Sequence, residues 1–360
     1  MAATLDDYGW EAWRSAAPSH ADPIPERPPA GVGRVVRIDR GVYAVVTADD
    51  VVAASIAGEL KDAADPVLRP AIGDWVIVAH DGDDAVVRVV LARRSMFVRG
   101  DIARMQAQVV AANVDVVFVV HSASDEPNLR RLERELVLAF QSGAQPVIVL
   151  SKADLARDAE RVVEAIRPAS VGLDIVVTSA VSGAGVDALA SYGADASARI
   201  LTLAFIGASG VGKSTLVNAL LGSDVQATAP IRVADGKGRH TTTARELFLL
   251  PHGGVLVDTP GLRSLGMWRS DEGIAAAFAD IEELAGSCRF SNCGHDQEPG
   301  CAVIEAVAAG RLEADRVRNH RDLQRELDRL DAEAEARGRV VKQQERVARA
   351  RAQRSAPPAR

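Results

Sequence analysis

The sequence predicts an α/β fold: a circularly permuted phosphate-loop domain on a doubly wound, mostly parallel sheet, with an N-terminal OB-type β-barrel and a C-terminal helical zinc-binding domain. Three observations carry this. The stretch Gly207–Thr215, GASGVGKST, stands between an apolar run and a helical pattern. Loops of the kind that read a nucleotide base come before it in the chain rather than after it. All three cysteines fall between residues 288 and 301. The chain then divides into an arm (1–33), the barrel (34–100), the nucleotide domain (101–267), the metal-binding helical domain (268–335) and a basic tail (336–360).

A chain of 360 residues has room for two or three domains with real cores. Its formal net charge of −7 excludes a globally basic nucleic-acid binder but leaves room for a local basic face. No stretch approaches the length of a membrane span, and the opening MAATLDDYGW is acidic and lacks an apolar signal core. The expectation is a cytoplasmic monomer with no membrane partner, in which clustered cysteines point to metal rather than disulfides.

In the arm, Trp10 and Trp13 share one face of a short helix, read as a docking element, and Pro23, Pro25, Pro28 and Pro29 make an extended lead-in. From Gly33 the pattern turns to short β-rich runs, 34–38, 42–46, 75–78 and 85–90, with Asp81-Gly82-Asp83 as a hairpin signal. About five such strands suggest a small closed barrel. Its best candidate RNA patch is Arg93, Arg94, Phe97 and Arg99, set against a purely structural barrel.

The next stretch alternates strands and helices. Val114–Val120 is a continuous apolar run, as expected of a strand covered on both faces. A helical pattern at 128–141 follows, then strands at 146–150, 174–178, 201–206, 246–250 and 254–257. Ligand loops of such a sheet lie at the strand C-termini.

Gly207, Ala208, Ser209, Gly210, Val211, Gly212, Lys213, Ser214 and Thr215 match G-x-x-x-x-G-K-[ST] in its strand–loop–helix context. Gly207, Gly210 and Gly212 let the backbone wrap an anion at a helix N-terminus. Lys213 is placed for the β/γ-phosphates and Ser214 for Mg²⁺. Asp258 ends a later strand, placed to hold Mg²⁺ through water, and the Gly261 amide is placed to sense a γ-phosphate. Ser151, Lys152, Ala153 and Asp154 end another strand. A carboxylate there accepts from guanine N1–H and the 2-amino group, donors that adenine lacks, so the site selects GTP and GDP. Ser179 and Ala180 suit the guanine O6. Between the phosphate loop and Asp258, Arg239–Thr243 is the expected switch, with Thr242 closing on Mg²⁺.

The order is unusual, because Ser151–Asp154 and Ser179-Ala180 precede Gly207. The same sheet with its chain ends moved is a circular permutation. This order, together with GRHTTT at 238–243, resembles the circularly permuted ribosome small-subunit-dependent GTPase A family, from about Gly33 to about Leu330. The resemblance implies an OB-fold, a permuted GTPase domain and a zinc-binding domain. It further implies a GTP hydrolase that binds the small ribosomal subunit and its rRNA during late maturation. One departure stands at Ser151, where the family usually has Asn or Thr that braces the base and the phosphate loop. Leu262 follows Gly261 where many GTPases carry a water-orienting glutamine. Slow intrinsic hydrolysis is therefore expected, with a partner or His240 supplying what leucine cannot.

Cys288, Cys293, His295 and Cys301 read C-x4-C-x-H-x5-C, a donor set for one closed tetrahedral Zn²⁺, against the alternative of free buried cysteines. The resemblance supports zinc, since the family's CRFxxCxH…EPGC segment matches here residue for residue. Arg289 and Phe290 sit on this knuckle as candidate RNA contacts. Beyond Leu312 the pattern is helical, with Leu323, Leu327 and Leu330 on one face. The tail is rich in arginine, which suits a polyanion or a plain solvated terminus. Two other classes stay open: a regulatory GTPase acting on a protein partner without RNA, and a phosphate-loop ATPase or kinase, which Asp154 disfavours.

Overall fold

The computed structural model describes residues 3–15, 30–61, 63, 65–82, 84–99, 108–222, 245–258, 262, 265 and 271–355, with side chains as far as residue 336 (66, 81 and 334 excepted). The proline lead-in at 23–29, the switch residues Arg239, His240, Thr241, Thr242 and Thr243, and Gly261 lie outside the described residues, as do the tail side chains.

The arm begins with α1 (Trp10–Ser15). Strands β1 (Val32–Asp39), β2 (Val42–Thr47), β3 (Val51–Ile56), β4 (Trp75–Asp81) and β5 (Asp84–Val90) follow, with the short helix α2 (Gly58–Lys61) after β3. They close on one another in the order 1-2-3-5-4-1, β3 parallel to β5 and the rest antiparallel. This is the expected OB-type barrel. Its register shifts at Val35/Arg37 and Ile77/Val78 bend the strands enough to close it.

Trp10 and Trp13 seal one end of the barrel. Their rings lie 5.1 and 6.0 Å from that of Trp75, and all three are buried. The docking reading of the arm is borne out. Beneath them Arg34, 1% exposed, donates to Tyr8 O, Gly73 O (3.2 Å), Asn113 O (3.3 Å) and Thr202 Oγ1 (2.8 Å). Burial pulls its guanidinium down to about 10, still charged at neutral pH, so these four acceptors are what make its burial tolerable.

Three of the four residues of the barrel's candidate RNA patch are turned inward, and Arg99 alone is exposed. Arg93 pairs with the buried Asp74 at 2.6 Å, Arg94 pairs with Asp115, and Phe97 is 2% exposed. Phe97 lies in β6 (Met96–Arg99), paired with β7 (Gln108–Ala112). Arg93 answers a carboxylate within the barrel, Arg94 answers one across the seam to the next domain, and none of the three residues forms a free basic surface.

The nucleotide domain follows as β8 (Val116–Ser122), α3 (Leu129–Ser142), β9 (Gln145–Ser151), α4 (Ala159–Ile166), β10 (Ile175–Val177), α5 (Val186–Ala190), β11 (Thr202–Gly207), α6 (Lys213–Leu221), β12 (Arg245–Leu249) and β13 (Val255–Asp258). Strands run β10-β9-β8-β11-β13 in parallel, and β12 adds antiparallel to β13. Alternation along β8 divides two cores. Val117 and Val119 join Leu132 and Leu136 of α3, while Val116, Phe118 and Val120 join Leu189 of α5 and Leu216 of α6. Helices thus cover both faces, as the apolar runs require. At its free edge β12 pairs with β1, Arg37 opposite Glu246 and Ile38 opposite Arg245, so barrel and nucleotide sheet are one eleven-stranded sheet.

The chain ends in α7 (Asp271–Ala277), α8 (Ala279–Ala285), α9 (Ala302–Ala308) and the 42-residue α10 (Ala314–Ser355). Leu323 and Leu327 of α10 are buried and Leu330 packs beside them, as their spacing predicts. A buried polar staple fixes α10 to the nucleotide domain. Arg316 pairs with Glu133 of α3 and Asp280 of α8, both at 2.7 Å, and Asn319 donates to Glu133. No helix among the described residues is long and apolar enough to cross a membrane.

Candidate nucleotide site and metal cluster

The loop after β11 is shaped by glycines where a side chain has no room. Gly207 has φ +135°, and a Cβ there would meet Val120 O at 2.4 Å. Gly212, φ +97°, caps α6 with no side-chain bond, which leaves the first-turn amides of a nine-residue helix for an anion. Lys213 turns back over the loop, its Nζ donating to Gly207 O (2.8 Å) and to Ala208 O. Ser209, Gly210, Ser214 and Thr215 are exposed, and Ala208, Val211 and Gly212 half-buried. A positively charged amine curled over uncapped amides is a cradle that fits a polyphosphate.

Two further loops converge on it. Ser151, at the end of β9, donates through Oγ either to His121 O (3.1 Å) or to Val211 O in the phosphate loop itself. Lys152 has the left-handed φ of 57°, and its Cε lies 3.8 Å from where a Gly212 Cβ would stand. Ala153 N donates to Thr178 O at 3.0 Å, tying this loop to the end of β10. The Asp154 carboxylate accepts from Ser179 Oγ at 2.5 Å, and Ser179 Oγ accepts in turn from Ser182 N. Asp154 is exposed, Ser179 buried and Ala180 half-buried. The sequence-predicted base loop, its serine partner and the phosphate loop therefore meet at the C-terminal ends of parallel strands.

Asp258 ends β13, exposed, directly opposite Glu246 on β12. Burial pushes the Glu246 carboxyl above its usual range, Arg37 opposes this and Asp258 adds to it. Leu262 is buried at 4%, and it floors a cleft of about 520 Å³ behind the phosphate loop, between α3 and α10. A leucine in that core orients no water. His240, Thr242 and Gly261 fall outside the described residues.

The four metal-ligating candidates come together. One donor atom each from Cys288, Cys293, His295 and Cys301 lies within 4.8 Å of the others. His295 Nδ1 is 3.4 Å from Cys301 Sγ and 3.7 Å from Cys288 Sγ. Three thiols and an imidazole converging with no carboxylate among them fit a structural zinc site. Glu298, not singled out from the sequence, organises the turn. It accepts from Gly294 N (2.9 Å), Asp296 N (2.8 Å) and Gln297 N (3.1 Å), and these amides hold its carboxyl down at about 2. The one sequence signal for it is an acid inside a glycine- and proline-rich metal turn. Phe290 stays 42% exposed, with the Arg289 guanidinium 5.4 Å from its ring centre.

Residues 90–268 match the family model described as RsgA GTPase. The small ribosomal subunit biogenesis GTPase RsgA of Streptomyces coelicolor is 44% identical over 93% of this chain and 90% of its own length. The chain belongs to the RsgA GTPase family. An RsgA protein of Methanosarcina acetivorans is 42% identical over 84% of this chain and 81% of its own length. Among solved structures, YjeQ from Thermotoga maritima superposes with TM-score 0.62 at 28% identity, covering 82% of this chain and 98% of the other. YloQ, described as a circularly permuted GTPase, gives TM-score 0.58 at 27% identity, covering 82% of this chain and 94% of its own. The RsgA fold and the permuted strand order are thus shared, and the chain is a GTP hydrolase with a Cys₃His cluster compatible with zinc.

Proposed function

We propose that this RsgA-family protein is a cytoplasmic, monomeric GTPase that binds the small ribosomal subunit through its rRNA and hydrolyses GTP to GDP and phosphate during late subunit maturation. The observation that carries the partner is the likeness to the Streptomyces coelicolor biogenesis GTPase, which spans barrel, nucleotide domain and metal cluster alike. The proposed division of labour follows the segments 34–100, 101–267 and 268–335.

Phosphates bind along Gly207–Thr215, with Lys213 exchanging its two carbonyl acceptors for β/γ oxygens. Asp154, held by Ser179, reads guanine N1–H and the 2-amino group, and the Ala180 backbone reads O6. Ser151 does by a single hydroxyl what a longer amide does in related GTPases, since it reaches Val211 O while lying beside the base loop. Lys152 and Ala153 set the turn. Ser214, Asp258 and, from the switch, Thr242 are the residues that would hold magnesium, which neutralises charge on the β/γ oxygens. Gly261 senses the γ-phosphate. Leu262 leaves the attacking water without a side-chain partner, so the subunit orders the switch, with His240 as the candidate group from this chain. Cys288, Cys293, His295 and Cys301 would hold one zinc, whose part is to fold residues 288–301.

GTP turnover measured with and without purified small subunits tests this. Stimulation of roughly tenfold or more is expected, with salt-sensitive co-sedimentation that is tighter in the non-hydrolysable GTP state by about 1–3 kcal/mol, the usual scale of allosteric coupling. Unstimulated turnover with no co-sedimentation would leave a GTPase acting on a different partner.

A further inference from the structure

Glu246 is a carboxylate beside the nucleotide site that the reading above does not use. On one side of β12 it stands directly opposite Asp258 of β13, and on the other directly opposite Arg37 of the barrel strand β1. Directly opposed residues of antiparallel strands share a sheet face, their Cβ atoms about 4.5–5.5 Å apart. Arg37, Glu246 and Asp258 therefore form one row, from the barrel to the end of the strand that carries the nucleotide-site carboxylate. The row lies on the face covered by α6, because Phe248, two residues along from Glu246, shares the apolar cluster of Leu216 and Leu220. Ser214 is in the first turn of that helix.

Like charges set directly opposite destabilise a sheet. Glu246 and Asp258 are nonetheless opposed, one cation stands at the far end of the row, and the near end opens on the nucleotide site. We propose that Arg37 and Glu246 are positioning residues for Asp258: the barrel arginine holds Glu246 beside it, and the two together set the field that Asp258 presents to the nucleotide's magnesium ion. This rests on reading Asp258 as a magnesium carboxylate. Glu246 adds negative charge toward the ion, and Arg37 offsets part of it. The two side chains therefore act on the ion in opposite senses, and the barrel takes part in nucleotide binding without touching the nucleotide.

The test uses the full-length protein. Release of a fluorescent GDP is followed across a Mg²⁺ titration to give the half-maximal Mg²⁺ concentration, and GDP affinity is also measured in excess chelator. Glu246→Gln should raise the half-maximal concentration roughly three- to tenfold, the scale of one unit charge acting on a nearby divalent ion through a water-like dielectric. Arg37→Met should lower it by a similar factor, Arg37→Lys should stay within about twofold of wild type, and the double variant Arg37→Met/Glu246→Gln should fall between the single ones. Affinity in chelator should hold in all four. A purely structural role would move both single variants the same way and lower the chelator affinity too. That result, or no shift in either, overturns the proposal. Asp258→Asn is the control. If it shifts the Mg²⁺ dependence while the others do nothing, only this inference fails; if it shifts nothing, the reading of Asp258 fails and the inference with it.

Discussion

Replacing Arg316 by methionine tests how the C-terminal helix is held to the nucleotide domain. The guanidinium lies between Glu133 (2.7 Å) and Asp280 (2.7 and 2.9 Å), donates to Ala277 O at 3.0 Å and covers the Phe278 ring at 4.7 Å. Methionine keeps length and apolar volume, so the packing on Phe278 is largely retained. Asp280 keeps access to water through a side chain 26% exposed, but Glu133, 2% exposed, is left with the Asn319 amide alone. Removing one partner of a buried pair costs about 3–5 kcal/mol, because the other charge is stranded. At about 1.36 kcal/mol per decade, the opening equilibrium of α10 rises by roughly two to four decades. Hydrogen exchange along residues 316–330 should show that loss of protection, with β8 and β11 unchanged. The defect should also depend on pH. Burial already pushes the Glu133 carboxyl up, with Asn319 and Arg316 opposing, so loss of Arg316 pushes it further. A carboxyl raised in the folded state contributes stability below its unfolded pKa and loses it as pH rises through the folded value. The Arg316→Met defect should therefore shrink on acidification and grow toward alkaline pH, and Glu133→Gln in the same chain should relieve most of it. A defect that is equal at all pH values and unrelieved by the second change would refute the stranded-carboxylate account.

Asp154→Asn exchanges an acceptor for a donor. Guanine nucleotide affinity should fall about 5- to 150-fold, the equivalent of 1–3 kcal/mol for an unpaired donor, and competition binding should show a gain for xanthine nucleotides. Cys301, buried and at the N-terminus of α9, should on change to Ser take zinc content from one per chain to near zero by metal analysis, with GDP affinity within about twofold of wild type, since metal and nucleotide sites lie in different domains. Gly207→Ala should weaken GDP binding at least tenfold by calorimetry without unfolding the sheet, because φ +135° strains any Cβ by about 1–3 kcal/mol and Val120 O stands in its place.

The parallel strands were legible because burial on both faces turns them into unbroken apolar runs. The stretches 114–120, 146–150 and 201–206 lie within two residues of β8, β9 and β11 at every end. The phosphate loop and the metal cluster were legible because their chemistry needs fixed residue types at fixed spacing. Strand β3 was not, since VVAASI is half small residues, with a single one of its six buried. The left-handed turn at Lys152 and the reach of Ser151 to Val211 O were hidden too. The second depends on a loop 60 residues away, and no local pattern encodes that meeting.

Charge was the hardest property to read, and the reason is physical. Arginines beside an aromatic, as at 93–99, suggest a surface for a polyanion, yet the acids that answer Arg93 and Arg94 stand 19 and 21 residues away. Arg34 meets Thr202 across 168 residues and Arg316 meets Glu133 across 183. A buried guanidinium is tolerated where carboxylates and carbonyls answer its charge, and one answered from a distant segment holds two parts of the chain in one register. Three arginines, Arg34, Arg94 and Arg316, stand at the borders joining arm, barrel, nucleotide sheet and helical domain, while Arg93 is held inside the barrel by Asp74. They are accordingly withdrawn from any RNA contact. A polyanion surface has to be built from cations facing outward, and on the metal knuckle Arg289 stacks on an exposed Phe290, the combination of charge and π-face that a single-stranded base can use.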